Sequence, residues 1–192
     1  MEHFKHLLTS YFGPLNDQEL DMIQSYFYEE KLTKNSFFTK TDKVCDKLSI
    51  IKSGILRIYS LSEGKEITQW IASENYMMTE VLGFFFDRPN RWNIQAYNDV
   101  DLWTIAKTDY LKLCRDFPKW IDIEKQLMLK CFVMIENRIF AHLSMTAQER
   151  YEMYFEQNSL LFNKVPLQHI ASVLGMSPET LSRIRKHHAQ TS

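Results

Sequence analysis

The feature of this sequence that most constrains its fold is the spacing of apolar and small residues over residues 165–189. Five apolar residues recur at the intervals by which two short helices fasten onto one another, namely Ile170, Leu174, Met176, Leu181 and Ile184. Ala171 lies where only a small side chain permits close approach of the helices, and Gly175 lies where the turn needs a positive φ. Ser177 and Pro178 then supply an N-cap and a first helical residue. The spacing predicts two helices joined by a tight turn.

Two helices joined in this way form a helix-turn-helix, the motif whose second helix enters the major groove of DNA. The second helix is predicted to cover residues 178–186, with Leu181 and Ile184 facing inward. The side chains expected to contact DNA from this helix are Glu179, Thr180, Ser182, Arg183, Arg185 and Lys186. The pattern therefore predicts double-stranded DNA as a partner, and a helical hairpin without DNA binding is the alternative.

Glu179 and Arg183 are the residues predicted to read bases. An arginine can donate two hydrogen bonds to a guanine, and a glutamate can accept one from a cytosine. Thr180 projects from the same base-facing half of the helix, and the side chains predicted to contact phosphate are Ser182, Arg185, Lys186 and His187. The formal net charge of the chain is −1, yet residues 164–192 carry four positive residues against one acid. An ion pair between Glu179 and Arg183 on a solvated basic surface is the alternative.

The sequence before this segment changes texture twice. Residues 1–26 are predicted to be helical, with a stop at Gly13 and Pro14 and a second helix capped by Asn16. Residues 27–106 then consist of short apolar or alternating runs separated by turn residues, and the strands expected there are 48–52, 55–60, 67–71, 92–97 and 100–105. Several short strands with frequent turns predict an antiparallel sandwich or barrel.

Helical patterns return after this β-rich region. A short helix is expected over residues 107–117 with Thr108 as its N-cap, a long helix over 119–145 and another over 149–162. The long helix carries a coiled-coil-like seam of Met128, Phe132, Ile135 and Ile139, and a second apolar stripe of Leu127, Cys131 and Met134. Two stripes predict burial on two sides, against the β-rich domain and against a second copy of the chain. A helix packed entirely within one subunit is the alternative.

This organisation resembles the Crp/Fnr family of transcription regulators over nearly the whole chain. The most specific segments are residues 48–59, LSIIKSGILRIY, and residues 170–184, IASVLGMSPETLSRI. The resemblance implies an α+β fold with an N-terminal antiparallel β-roll of the cyclic-nucleotide-binding type, a long dimerisation helix and a C-terminal winged helix-turn-helix. The expected boundaries are 1–117, 118–145 and 146–192. The resemblance also implies a homodimer that binds palindromic DNA, with RNA polymerase as a further candidate partner.

Two parts of the sequence depart from the family pattern. Pro178 stands where a further arginine is often found, so the target DNA sequence is expected to differ. Family members that bind cyclic AMP carry Gly-Glu-Leu and later Arg-Ser or Arg-Thr, whereas this chain has Thr79-Glu80-Val81 and Arg91-Trp92. Glu80 and Arg91 could keep the ribose and phosphate roles, or they could form a local ion pair inside a filled β-roll. The bulk of Thr79 and Trp92 favours the ion pair, so no response to cyclic AMP is predicted and the effector stays unknown.

Other functional classes lack the residues that they need. Cys45, Cys114 and Cys131 have no metal-binding spacing, which favours free thiols in a reducing, cytoplasmic setting, and no cofactor is expected. No histidine lies between His6 and His142, which argues against a haem and against a cupin-like metal enzyme. No signal peptide or membrane span is expected. The chain is therefore predicted to be a regulator and not an enzyme, with a regulator that acts only through protein contacts as the third reading.

Overall fold

The computed structural model describes residues 2–191, and side chains within 4–9 and 13–188. The chain opens with helices α1 (Glu2–Phe12) and α2 (Asp17–Ser25). Asn16 caps α2 as predicted, because its side-chain oxygen accepts from the Glu19 N–H at 2.9 Å, while the Glu19 carboxylate accepts from the Asn16 N–H at 3.0 Å. These two helices cover one face of the β-rich domain.

Eight strands follow, with one short helix among them. They are β1 (Tyr28–Leu32), β2 (Phe37–Thr39), β3 (Lys47–Ser53), β4 (Leu56–Ser62), β5 (Lys65–Ala72), β6 (Met77–Met78), α3 (Val81–Phe86), β7 (Asn93–Ala96) and β8 (Val100–Ala106). The strands form two four-stranded antiparallel sheets, ordered β1-β8-β3-β6 and β2-β7-β4-β5. The predicted antiparallel sandwich is confirmed, and a strand occurs at each of the five predicted segments.

The β-roll has two hydrophobic cores because both faces of one sheet are covered. Ile58, Ile94 and Leu102 belong to the cluster packed between the sheets. Phe4 and Trp120 belong to a second cluster, which joins the outer face of the β1-β8-β3-β6 sheet to the helices. Burial of one large apolar side chain contributes roughly 1.5–3 kcal/mol, so these clusters make the β-roll a rigid support.

Helices make up the rest of the described chain. They are α4 (Lys107–Asp116), α5 (Lys119–Ser144), α6 (Ala147–Asn158), a 3-10 helix (Ser159–Asn163), α7 (Leu167–Val173) and α8 (Pro178–Thr191). The long helix α5 agrees with prediction. The prediction that Thr108 caps α4 is wrong, because Ala106 is the N-cap residue and no side chain bonds to this helix end. Within residues 107–191 no strand occurs, so the β-strand wing that the family resemblance implies is not found in this part of the chain.

The C-terminal helices dock onto the β-roll of the same chain. Ile55 and Ile71 of the β-roll share a hydrophobic cluster with Tyr154 of α6 and Ile170 of α7. The Thr68 N–H donates to the Ser172 hydroxyl at 2.9 Å and thereby ties β5 to α7. The sequence patterns did not predict this contact. The β-roll and the C-terminal helices are therefore in direct contact.

Candidate functional site

The turn between α7 and α8 has the geometry that the sequence pattern predicts. Gly175 has a φ of +64°, and the Met176 N–H donates to the Ala171 carbonyl at 3.0 Å. A Cβ added at Gly175 would lie 2.8 Å from His142 Cε1, so packing and backbone conformation both favour glycine. Ser177 accepts from the Thr180 N–H at 3.2 Å and caps α8.

The inner side of this motif is apolar and tightly packed. Ile170, Ala171 and Leu181 are fully buried, while Met176 and Ile184 are half-buried against the same cluster. The predicted fastening of the two helices is therefore confirmed. Helix α7 packs against β5 and α6 and holds α8 in place. Only one side of α8 makes buried contacts, and its other side lies in solvent.

The outer side of α8 presents most of the residues predicted to contact DNA. Glu179, Ser182, Arg183 and Lys186 are exposed and line a shallow concave surface that begins at Pro178. Hydrogen bonds from its own backbone N–H and from Ser177 lower the pKa of the Glu179 carboxyl, so this group is ionised at neutral pH. The described side chains of Glu179 and Arg183 form no salt bridge with each other, so the predicted alternative of an ion pair is not what this structure shows.

Two of the predicted contact residues have partners within the protein. Thr180 is half-buried, and its hydroxyl accepts a hydrogen bond from Ser177 at 3.2 Å. The Arg185 guanidinium lies 5.6 Å from the centre of the Phe162 ring, a cation–π contact. These two side chains are therefore held by contacts at the edge of the exposed surface, whereas Arg183 is exposed on its outer side.

The residues that the family pattern assigns to a ligand pocket make polar contacts that differ from the expected ones. Glu80 is buried, and its two oxygens accept from the Gly83 N–H at 2.9 Å and from the Arg91 backbone N–H at 3.1 Å. Glu80 therefore caps α3, while the Arg91 side chain is exposed. The expected Glu80–Arg91 ion pair is wrong, because backbone N–H groups occupy the carboxylate.

A cavity of 360 Å³ remains between the β-roll and α5, so the expectation of a filled β-roll is also wrong. Met77, Trp92 and Leu127 are among the residues that line it, and its lining is predominantly apolar. The Thr79 hydroxyl is occupied, since it donates to the Lys47 carbonyl at 2.8 Å. This β-roll cavity therefore offers apolar surface but no open phosphate cradle around Thr79 and Glu80.

The helix α5 carries the predicted seam on its solvent side. Met128, Phe132, Ile135 and Ile139 are all exposed in the single chain. In the second stripe Leu127 is buried and Cys131 half-buried, but Met134 is exposed. Five further exposed apolar residues of α5 were not singled out by the sequence pattern: Ile121, Leu129, Val133, Phe140 and Leu143. The uncovered apolar surface is therefore wider than a two-position seam.

The comparisons with known proteins agree on the architecture. Residues 29–117 match the cyclic nucleotide-binding domain family. FixK2 from Bradyrhizobium japonicum superposes with a TM-score of 0.72 at 16% identity, covering 86% of each chain. A CooA variant from Carboxydothermus hydrogenoformans gives 0.69 at 18% identity, covering 96% of this chain and 84% of its own. No curated protein matches the sequence as a relative.

A transcriptional regulator of the crp/fnr family from Eubacterium rectale is similar along nearly the whole chain. It superposes with a TM-score of 0.69 at 22% identity, over 95% of this chain and 88% of its own. Because these superpositions include the long helix and the C-terminal helices, the similarity extends beyond the β-roll. The chain has the fold of the Crp/Fnr transcription regulators, with a cyclic nucleotide-binding domain over residues 29–117.

Two further findings concern other kinds of site. Within residues 2–191, three or more histidine, cysteine or carboxylate side chains do not come together in a way that could hold a metal ion. None of the helices in the described part of the chain combines the length and apolar composition that crossing a membrane requires.

Proposed function

We propose that this chain of the Crp/Fnr fold is a DNA-binding transcription regulator rather than an enzyme, and that it acts in the cytoplasm as a homodimer. The observation that carries the proposal is α8 itself. Its inner side is fixed by Leu181 and its outer side presents Glu179 and Arg183 in solvent. A helix held in this way can enter a major groove without any rearrangement of its own core.

In the proposed complex, Arg183 donates to a guanine and Glu179 accepts from a cytosine. Lys186 and Ser182 contact phosphate on the same side of the helix, and Arg185 and Thr180 contact the DNA backbone from the edge of the surface. Phosphate contacts supply affinity and position the helix, whereas the two base contacts supply specificity. The chain therefore recognises a short half-site with one α8 helix.

The proposed homodimer forms through the exposed apolar side of α5. Exposed apolar surface of this extent is unusual on a monomer and marks an interaction surface. The side chains of the seam recur at alternating spacings of four and three residues, which suits packing against an identical helix. In such a dimer the two α8 helices would enter successive major grooves, about 34–36 Å apart, and the sites would be palindromic.

We propose that cyclic AMP is not the effector. The Glu80 oxygens and the Thr79 hydroxyl already bind the protein's own backbone, and Trp92 lines the cavity where a small hydroxyl would be needed. The Glu80 carboxylate is buried by these contacts, which hinders access of a ribose hydroxyl to it. Calorimetric titration with cyclic AMP and cyclic GMP tests this point, and saturable heat with either nucleotide would refute it.

The DNA-binding proposal is tested by selecting sequences from a random duplex library with the purified full chain. We expect a palindromic consensus, which fluorescence anisotropy then quantifies over a series of salt concentrations. Each phosphate contact should contribute about 0.9 to the slope of log affinity against log salt concentration. No enrichment of any sequence, together with no retention of duplex at low salt, would favour a regulator that acts only through protein contacts.

A further inference from the structure

A second cavity lies where the β-roll, α5 and the helix-turn-helix meet. It has a volume of 340 Å³. We call it the interdomain cavity and define it by Trp70, Tyr76, Arg138, His142, Arg150 and Tyr154. Trp70 and Arg138 also line the β-roll cavity and stand between the two spaces. The interdomain cavity additionally contacts α6 and the end of α7, so it is a separate place in the fold.

The charged side chains that line the interdomain cavity are all positive. Arg138 and Arg150 are among its lining residues, and none of the described lining residues is an aspartate or a glutamate. Arg138 donates to the carbonyls of Gln69 and Val173, and Arg150 to those of Leu174 and Met145. All four acceptors are neutral, so the two positive charges lack a carboxylate partner. Partly buried cations in this state favour an anion beside them.

The arginines also have hydrogen-bonding capacity to spare. Each guanidinium carries five N–H donors in a planar arrangement, and the backbone carbonyls take two of the five in each case. Burial, followed by the positive charges of Arg138 and Arg150, lowers the pKa of His142. His142 is therefore neutral at pH 7, which leaves its ring able to donate or accept a hydrogen bond without adding charge.

Aromatic rings also line the interdomain cavity. The centres of the Trp70 and Tyr76 rings are 6.1 Å apart with an interplanar angle of 53°, and Tyr154 is buried beside them. The Arg138 guanidinium lies 5.5 Å from the centre of the Trp70 ring. A flat ring can therefore lie against these aromatic surfaces beside the Arg138 guanidinium.

We propose that the interdomain cavity is a second ligand site, which binds a small aromatic carboxylate. The ring lies against Trp70 and Tyr76, and the carboxylate accepts from Arg138 and Arg150. The planar carboxylate suits the planar guanidinium better than a spherical anion does. A volume of 340 Å³ is at the lower end of ligand pockets, so it suits a one- or two-ring acid and not a dinucleotide.

The site has a consequence for regulation because of where it lies. Arg138 binds the carbonyls of Gln69 in β5 and Val173 in α7, so it links the β-roll to the helix-turn-helix. A ligand that binds Arg138 of α5 and Arg150 of α6 in this cavity contacts the long helix, the C-terminal helices and the β-roll. It would stabilise the docked arrangement by the difference between its binding free energies for the docked arrangement and for any other.

The proposal is tested by calorimetric titration of the full chain with three probes. Salicylate has both the ring and the carboxylate, salicylamide has the ring without the charge, and inorganic phosphate has the charge without the ring. We expect saturable binding of one salicylate per chain and at least about tenfold weaker binding of the other two. Salicylamide or phosphate binding as tightly as salicylate would overturn the proposal, as would the absence of salicylate binding.

A charge substitution locates the site. Gln157 lines the interdomain cavity and is exposed, so Gln157→Glu adds a carboxylate to an acid-free lining with little risk to folding. We expect it to weaken salicylate binding at least about fivefold. Gln148→Glu makes the same change on the same helix outside the cavity, and it should leave the affinity unchanged within about twofold. Equal effects of the two variants would refute the location, and neither outcome depends on whether the chain binds DNA.

Discussion

At the scale of single residues, Arg183 is the side chain on which the proposed specificity depends most. Replacement by alanine removes the guanidinium, which can donate two hydrogen bonds to a guanine, but leaves the buried contacts of α8 intact. We expect Arg183→Ala to cost roughly 1–3 kcal/mol of binding free energy at the consensus site and to relax base choice at one position. Anisotropy titrations against the consensus and its single-base variants measure both effects.

Lys186→Ala is the matched control for Arg183→Ala, since both residues are exposed on α8. It should weaken binding to all sequences by a similar factor. It should also reduce the slope of log affinity against log salt concentration by the contribution of about one phosphate contact. If Arg183→Ala kept the same ranking of sequences as the unchanged protein, the assignment of Arg183 to a base would be wrong.

Gly175 is a residue whose role can be separated from that of an ordinary turn glycine. Gly175 and Gly64 both have a positive φ, 64° and 76°, but only Gly175 has atoms within 4 Å of an added Cβ. Alanine at either position costs roughly 1–2 kcal/mol for the left-handed conformation. Gly175→Ala should cost about 1 kcal/mol more than Gly64→Ala, because the Cβ forces His142 to move. Urea unfolding of the two variants compares them directly, and equal losses would contradict the contact.

At the scale of secondary structure elements, α5 decides the oligomeric state. Phe132 is 65% exposed and Ile139 is 55% exposed, and neither lines a cavity, so a charge at either position should be tolerated by the single chain. In a symmetric dimer the same charge would be buried in each of the two subunits. We expect Phe132→Glu to raise the dimer dissociation constant by roughly 100-fold, measured by sedimentation equilibrium.

Leu61→Glu provides the control, because Leu61 is 64% exposed but lies at the end of β4. It should leave the oligomeric state unchanged. A chain that sediments as a monomer before any substitution would show instead that another partner covers α5.

The elements also show where sequence patterns suffice. The helix-turn-helix and α5 follow from local periodicity, since each apolar position depends on neighbours three or four residues away. Strand β1 was not predicted because Tyr28–Leu32 contains three charged residues, and its pairing with β8 outweighs that composition. Helix α3 was not predicted because its apolar sequence suits a strand equally well, and Glu80 decides in favour of the helix by capping it.

At the scale of the whole molecule, the docking of the helix-turn-helix onto the β-roll could not be predicted from the sequence. Thr68 and Ser172 are 104 residues apart, and neither belongs to a periodic pattern. The same holds for Arg138, whose two carbonyl partners lie in different domains. The predicted β-roll ion pair failed for a related reason, since backbone N–H groups compete for a buried carboxylate and cannot be located from residue types. The sequence patterns therefore located helices and strands better than they located hydrogen-bond partners.

The docked arrangement should respond to pH through His169. Its Nδ1 atom and the Tyr97 hydroxyl form a hydrogen bond across the interface between α7 and the β-roll. Burial, followed by the positive charge of Arg57, lowers the pKa of His169, and the opposing charge of Glu66 is a smaller influence. The unfolded chain therefore binds the proton more readily than the native chain does. Stability from this residue is complete above the unfolded pKa, about 6.5, and is lost as pH falls toward the lowered native pKa.

We expect the free energy of unfolding of the unchanged chain to fall between pH 7.5 and pH 5.5, and His169→Gln to fall less over the same interval. Glutamine can hydrogen-bond but does not titrate, so the difference between the two slopes isolates His169 from the other groups. Urea unfolding at four pH values suffices for both proteins. Parallel slopes for His169→Gln and the unchanged chain would mean that protonation of His169 does not oppose docking.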